Sequence, residues 1–141
     1  EAAICVHDLL KQTMMGPHCF ISSFNHDILK LTESLSLNKD YKIRTIYLHN
    51  FYTTFELPPL EELTSQGDGV NIEYAHLTKE RVEACHAKGK IIIVWIDCTV
   101  TTETVEMYKR LIDLKIDSFC SDWPCEVRQM QEQLIAYPDD I

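Results

Sequence analysis

The chain has 141 residues, 45% hydrophobic and 25% charged, the balance of an ordinary globular protein long enough to bury a core. Thirteen basic residues against 22 acidic ones leave a net charge of -9. That excess argues against a nucleic-acid backbone or an anionic membrane surface as partner, and it disfavours a phosphate site unaided by a metal ion or helix N-termini.

The first apolar pattern has Ile4, Val6, Leu9, Leu10 and Met14 at helical spacing, which predicts a helix over 2–15 stopped by Gly16-Pro17. A short apolar strand follows over 19–24. Asn25 is placed to cap the next helix, whose apolar face is read as Ile28, Leu29, Leu31 and Leu35. Asn38-Lys39-Asp40 reads as a turn, and 42–49 as the second strand. Residues 50–57 are aromatic and irregular. A short helix over 58–63 has Pro near its first turn, and Gly67-Asp68-Gly69 breaks it before a third strand over 70–74.

The chain is organised around the stretch 86–123. Thr78 caps a helix that runs to Lys88-Gly89. The run Ile91-Ile92-Ile93-Val94-Trp95 has no polar alternation and fits a strand buried on both faces. A crossover helix fills 102–114, with Val105, Tyr108, Leu111, Ile112 and Leu114 read as its inner face. A fifth strand spans 116–120, Pro124 opens a last helix, and 137–141 form a tail. Strictly alternating strands and helices predict one α/β domain over 1–136 with a parallel sheet. Two architectures satisfy the alternation: an open five-stranded sheet, or the last five strands of a TIM (β/α)8 barrel, a complete barrel taking about 250 residues. In either case the chemistry belongs at the carboxyl ends of the strands, which puts Asp97, Cys98, Ser121 and Asp122 where a site would form. No Gly-rich nucleotide loop is present.

The longest apolar run, 91–96, falls far short of the roughly 20 residues of a membrane span, and no secretory signal is visible. The chain opens at Glu1 without Met, which reads as a processed product or part of something longer. Six cysteines, Cys5, Cys19, Cys85, Cys98, Cys120 and Cys125, are scattered with no Cys-x-x-Cys pair. They read as buried free thiols in a reducing, intracellular compartment, with one or two disulfides as the other reading.

Four stretches, in order over about 19–127, resemble the carboxyl-terminal half of the glycerophosphodiester phosphodiesterase family. Ile21-Ser22-Ser23-Phe24 is similar to that family's strand ending in Ser-Phe. Leu77-Thr78-Lys79-Glu80-Arg81-Val82, with His86-Ala87-Lys88-Gly89-Lys90, resembles the helix ahead of its penultimate strand. Val94-Trp95 resembles the end of that strand, and Asp117 with Ser121-Asp122-Trp123-Pro124 resembles its final segment. The chain departs from the pattern at Ile96, at Cys98 in place of an Asn, at Lys115-Ile116 in place of Gly-Val, and at Ser118 in place of a Gly. No His-Arg-Gly occurs. The family's catalytic histidines and acidic metal ligands belong to the amino-terminal half.

The resemblance implies that Phe24, Trp95 and Ser23 line a substrate pocket. It implies no catalytic residue and no metal ligand in this chain, and Mg²⁺ or Ca²⁺ binding only once an amino-terminal half completes it. The same residues have plainer readings: core packing for Phe24 and Trp95, capping for Ser22 and Ser23. Glu73 and Asp97 are strand-end carboxylates suited to a divalent cation, although Asp97 is better placed to cap the turn over 99–102. His49 ends the second strand, where a general base is conceivable but a lone His is more often structural. His7-Asp8 and His26-Asp27 fall on predicted helices away from strand ends. Asp122 is expected to fix the turn into the last helix.

Two functions follow. One is the pocket-wall half of a metal-dependent phosphodiesterase, inactive by itself, whose partner is the missing amino-terminal half. The other is an inert remnant of that fold serving as a structural subunit, with another protein covering the exposed sheet edges.

Overall fold

The computed structural model describes residues 2–36, 42–49, 58–97, 99 and 102–136. The predicted turn at 38–40, the aromatic stretch 50–57, Cys98 and the tail 137–141 lie outside the described residues. Strands Phe20–Ser23 (β1), Arg44–Leu48 (β2), Gly69–Glu73 (β3), Ile91–Trp95 (β4) and Ser118–Cys120 (β5) form one sheet. Helices Ala2–Gln12 (α1), His26–Ser36 (α2), Leu60–Leu63 (α3), Lys79–Ala87 (α4), Val105–Asp113 (α5) and Pro124–Ala136 (α6) alternate with them. No described helix is long and apolar enough to cross a membrane.

All four strand pairings are parallel, and the spatial order is the sequence order, β1-β2-β3-β4-β5. This order decides between the two architectures. Parallel crossovers are right-handed in nearly all proteins, so an order that never reverses lays every crossover helix on the same face. A doubly wound sheet needs a reversal to clothe its second face. The strands therefore form a curled half-barrel, part of a (β/α)8 barrel, with helices outside.

The two faces of the sheet separate by register. Val70, Ile72, Ile92, Val94 and Ile96 point outward and join Val82 and Cys85 of α4 and Met107, Tyr108 and Leu111 of α5 in the main core. The alternate residues line the concave face. There Ile46, Gly69 and Ile91 stand side by side, as do Glu73, Trp95 and Cys120 two levels nearer the carboxyl ends. A Cβ on Gly69 would press into the carbonyl oxygen and Cβ of Ile91 and lie 2.9 Å from Ile46 Cδ1. The missing side chain lets the two isoleucines close over β3.

The free ends of the arc explain two helix faces that the sequence pattern misplaces. On α2 the buried residues are Leu29, Thr32 and Ser36, while Leu31 faces outward. Thr32 and Ser36 tolerate burial because their hydroxyls donate to the Ile28 and Thr32 carbonyls. On α5, Met107 replaces Val105 and Ile112 on the inner face; these two are 48% and 39% exposed. Ile112 lines an open cleft of about 470 Å³ that also touches Phe119 of β5 and Val127 of α6. More generally, every exposed large hydrophobic among the described residues lies on the α1–α2 end or the α5–α6 end, and none lies between residues 42 and 99. The cysteines follow the same logic. All five described ones are free thiols, but only Cys85 is buried; Cys19 is half-buried, and Cys5, Cys120 and Cys125 are exposed. The reading of buried thiols fails for Cys120 because it stands on the concave face of the edge strand, where no further strand covers it.

Helices α1, α4 and α5 end alike. In each, the first residue past the cap takes a left-handed conformation: Met14 at φ 57°, Gly89 at φ 66° and Lys115 at φ 59°. The next amide then reaches back to the helix, as Met15 to Leu10, Lys90 to Cys85 and Ile116 to Leu111. Glycine suits this position because any Cβ is crowded there. Lys115 occupies the place where the resemblance puts a glycine. Lys115→Gly is therefore expected to stabilise the chain by about 1 kcal/mol, seen as a higher urea midpoint at unchanged slope. A lower midpoint would show that the lysine side chain outweighs the backbone crowding.

Candidate functional site at the carboxyl ends of the strands

Trp95 is the last residue of β4 and points to the concave side. Its indole N–H reaches across β3 to donate to the His49 carbonyl at 3.2 Å. Phe24 follows β1 and is half exposed. Its ring meets the Trp95 ring edge-on, with centroids 6.2 Å apart and planes at 82°, a favoured aromatic geometry. Residues far apart in sequence, from strands three places apart in the sheet, thus build one apolar patch at the carboxyl-end rim. Ser23 is not brought into it. Its register with Tyr47 turns it to the helix side, and its Oγ accepts the Asn25 N–H at 3.0 Å. Asn25 in turn caps α2 by accepting the Asp27 N–H at 3.1 Å.

Each strand-end carboxylate has a neighbour of its own. Glu73 lies 3.9 Å from the His76 imidazole. Asp97 accepts the Thr99 N–H at 3.0 Å and the Thr99 hydroxyl, and so caps that turn. Among the described residues, no three His, Cys, Asp or Glu side chains come together to hold a metal ion. The Mg²⁺ or Ca²⁺ implied by the resemblance needs several oxygen ligands, and the described residues by themselves do not fit it.

Asp117 belongs to the opposite, amino-terminal end of the sheet. It accepts the Ile92 N–H at 2.8 Å and faces His86 at 3.1 Å, ties that hold the base of β4, β5 and α4 together. At the rim, the turn into α6 is held differently from expectation. Trp123 N–H donates to Ser121 Oγ at 2.8 Å. The carboxylate of Glu103 accepts the Ser121 hydroxyl, the Tyr108 hydroxyl and, at 2.8 Å, the Asp122 N–H. Asp122 thus contributes its backbone, while Ser121 and Glu103 make the fastening. Nothing near Glu103 in the sequence marks this, because its loop partners lie 18 and 19 residues away.

His49 is not a lone histidine. His26, the first residue of α2, lies beside it with ring centroids 4.9 Å apart, and Tyr47 packs on His26 at the same distance. His26 Nε2–H donates to the Leu48 carbonyl at 2.9 Å. His49 is 6% exposed, and its Nε2 has no hydrogen-bond partner. Burial, and secondarily His26, push its pKa down to about 4, so the ring is neutral at neutral pH. Burial and the Glu33 carboxylate hold the Tyr47 phenol up at about 12. Setting His26 aside as a helix residue overlooked that the first turn of α2 sits directly on the strand ends.

Fold and rim together define half of a (β/α)8 barrel with an aromatic patch at its carboxyl end. Solved structures place this half more narrowly. It is similar to a structure assigned as a glycerophosphodiester phosphodiesterase from Galdieria sulphuraria, with TM-score 0.78 and 23% identity over 92% of this chain and 50% of that one. It is also similar to one assigned as a glycerophosphoryl diester phosphodiesterase from Silicibacter pomeroyi DSS-3, with TM-score 0.74 and 18% identity over 94% of this chain and 43% of that one. The chain spans about half the length of the solved chains it matches. No protein-family model matches it, and no curated protein matches it in sequence. The resemblance to half of a glycerophosphodiester phosphodiesterase barrel thus holds at the level of the fold.

Proposed function

We propose that the chain is the carboxyl-terminal, pocket-wall half of a barrel that hydrolyses glycerophosphodiesters to glycerol phosphate and an alcohol. The observation that carries this reading is the meeting of Phe24 and Trp95 at the carboxyl-end rim, where barrel enzymes place their substrates. The two rings hold the glycerol or alcohol moiety. The acid–base histidines and the Mg²⁺ or Ca²⁺ ligands would come from an amino-terminal half outside these residues, and the cation would polarise the phosphoryl oxygens. That half would supply the remaining three strands and pair with the free edges of β1 and β5. The concentration of exposed apolar side chains at the two ends of the arc supports such a partner.

The test is hydrolysis of glycerophosphocholine, with Mg²⁺ or Ca²⁺, by the assembly in which the chain occurs. Trp95→Ala is expected to raise KM roughly tenfold with a smaller effect on kcat, as loss of substrate binding does. An assembly that forms through these edges yet hydrolyses nothing would favour the inert structural subunit instead. Active enzyme with KM unchanged by Trp95→Ala would remove the pocket-wall role.

A further inference from the structure

We propose that His26 and His49 form a two-imidazole site for a divalent transition-metal cation of the zinc, copper and nickel class, at the rim of β1 and β2. Three observations carry it. The Leu48 carbonyl takes the Nε2–H of His26, which fixes the tautomer and leaves Nδ1 with its lone pair. Metal-binding imidazoles are held by the same kind of carbonyl contact on the nitrogen that does not bind. His49 presents the complementary feature, a buried Nε2 without a partner. Such a bare nitrogen is costly in the empty fold, and a cation satisfies it. Third, the rings stand close enough to share an ion. With metal–nitrogen bonds of about 2.0–2.1 Å, two rings sharing a cation at a tetrahedral angle have centres about 5 Å apart, and the observed separation is 4.9 Å.

The chemistry of the donors sets the class of ion. Neutral imidazoles suit zinc, copper and nickel, whereas magnesium and calcium take oxygen. The site is therefore different in kind from the Mg²⁺ or Ca²⁺ of the proposed hydrolysis, and it does not depend on that reading.

The experiment uses the untagged full chain, freed of metal by chelator and exchanged into chelator-free buffer. Calorimetric titration with Zn²⁺ is expected to show one ion per chain. His26→Asn and His49→Asn should each weaken binding at least tenfold, while His18→Asn leaves it unchanged. The electron paramagnetic resonance spectrum of Cu²⁺ bound to the unaltered chain should show coupling to two imidazole nitrogens. That measurement needs no variant and decides the matter if either substitution prevents folding. Failure to take up Zn²⁺, uptake unaffected by both substitutions, or a copper spectrum with one nitrogen or none would each overturn the site.

Discussion

Gly69→Ala is expected to lower the stability of the chain by about 3 kcal/mol. The residue lies in the central strand, paired with Ile46 of β2 on one side and Ile91 of β4 on the other. The added methyl would meet backbone on the Ile91 side, so no rotamer change relieves it, and the end of the Ile46 side chain 2.9 Å away on the other. Relief requires β3 and β4 to part, which breaks the ladder that carries most of the core. Nor is the cost conformational, since Gly69 is not among the positive-φ residues. Urea unfolding should show a lower midpoint at unchanged slope. A shift under about 0.5 kcal/mol, the range of ordinary surface changes, would mean the strands separate without penalty and the packing account of this glycine is wrong.

Acidification should weaken the metal-free chain through His49. In the unfolded chain this imidazole takes up its proton near pH 6.5, whereas in the fold its pKa is about 4. Between those values the unfolded state binds more protons than the folded one. Stability therefore falls as the pH drops from 6.5 to 4, and the loss attributable to His49 reaches about 3 kcal/mol at the lower end. Above pH 6.5 both states are neutral at this ring and the dependence vanishes. His49→Asn should flatten the difference between urea midpoints at pH 7 and pH 4.5 measured in chelator. An undiminished difference in that variant would place the acid sensitivity elsewhere.

The alternation of strands and helices was legible because each strand is a compact apolar run and each helix carries its own punctuation. Thr78 and Thr104 accept amides of the first turns of α4 and α5, and Gly89 closes α4 in the way its type suggests. Strand order was not legible. Periodicity reports which residues are apolar, and an open sheet and a barrel arc use the same ones. Leu31, Val105 and Ile112 were assigned inward because helical spacing assumes a neighbour on either flank, and the ends of this arc have one on a single side. The rim was legible only in part. Phe24 and Trp95 were marked by their place at strand ends. The pairing of His26 with His49, and the grip of Glu103 on the loop after β5, join residues whose local sequence says nothing of each other.

The unbroken strand order makes the fold modular. Every strand pairs only with the strands of the adjoining βα units, and no segment threads between two others. A cut between units therefore leaves both fragments with continuous ladders and intact crossovers, and a joined unit extends an edge without rerouting what is already there. Barrels of this kind are divisible between units, and a fragment keeps the pairings and crossovers it had within the whole.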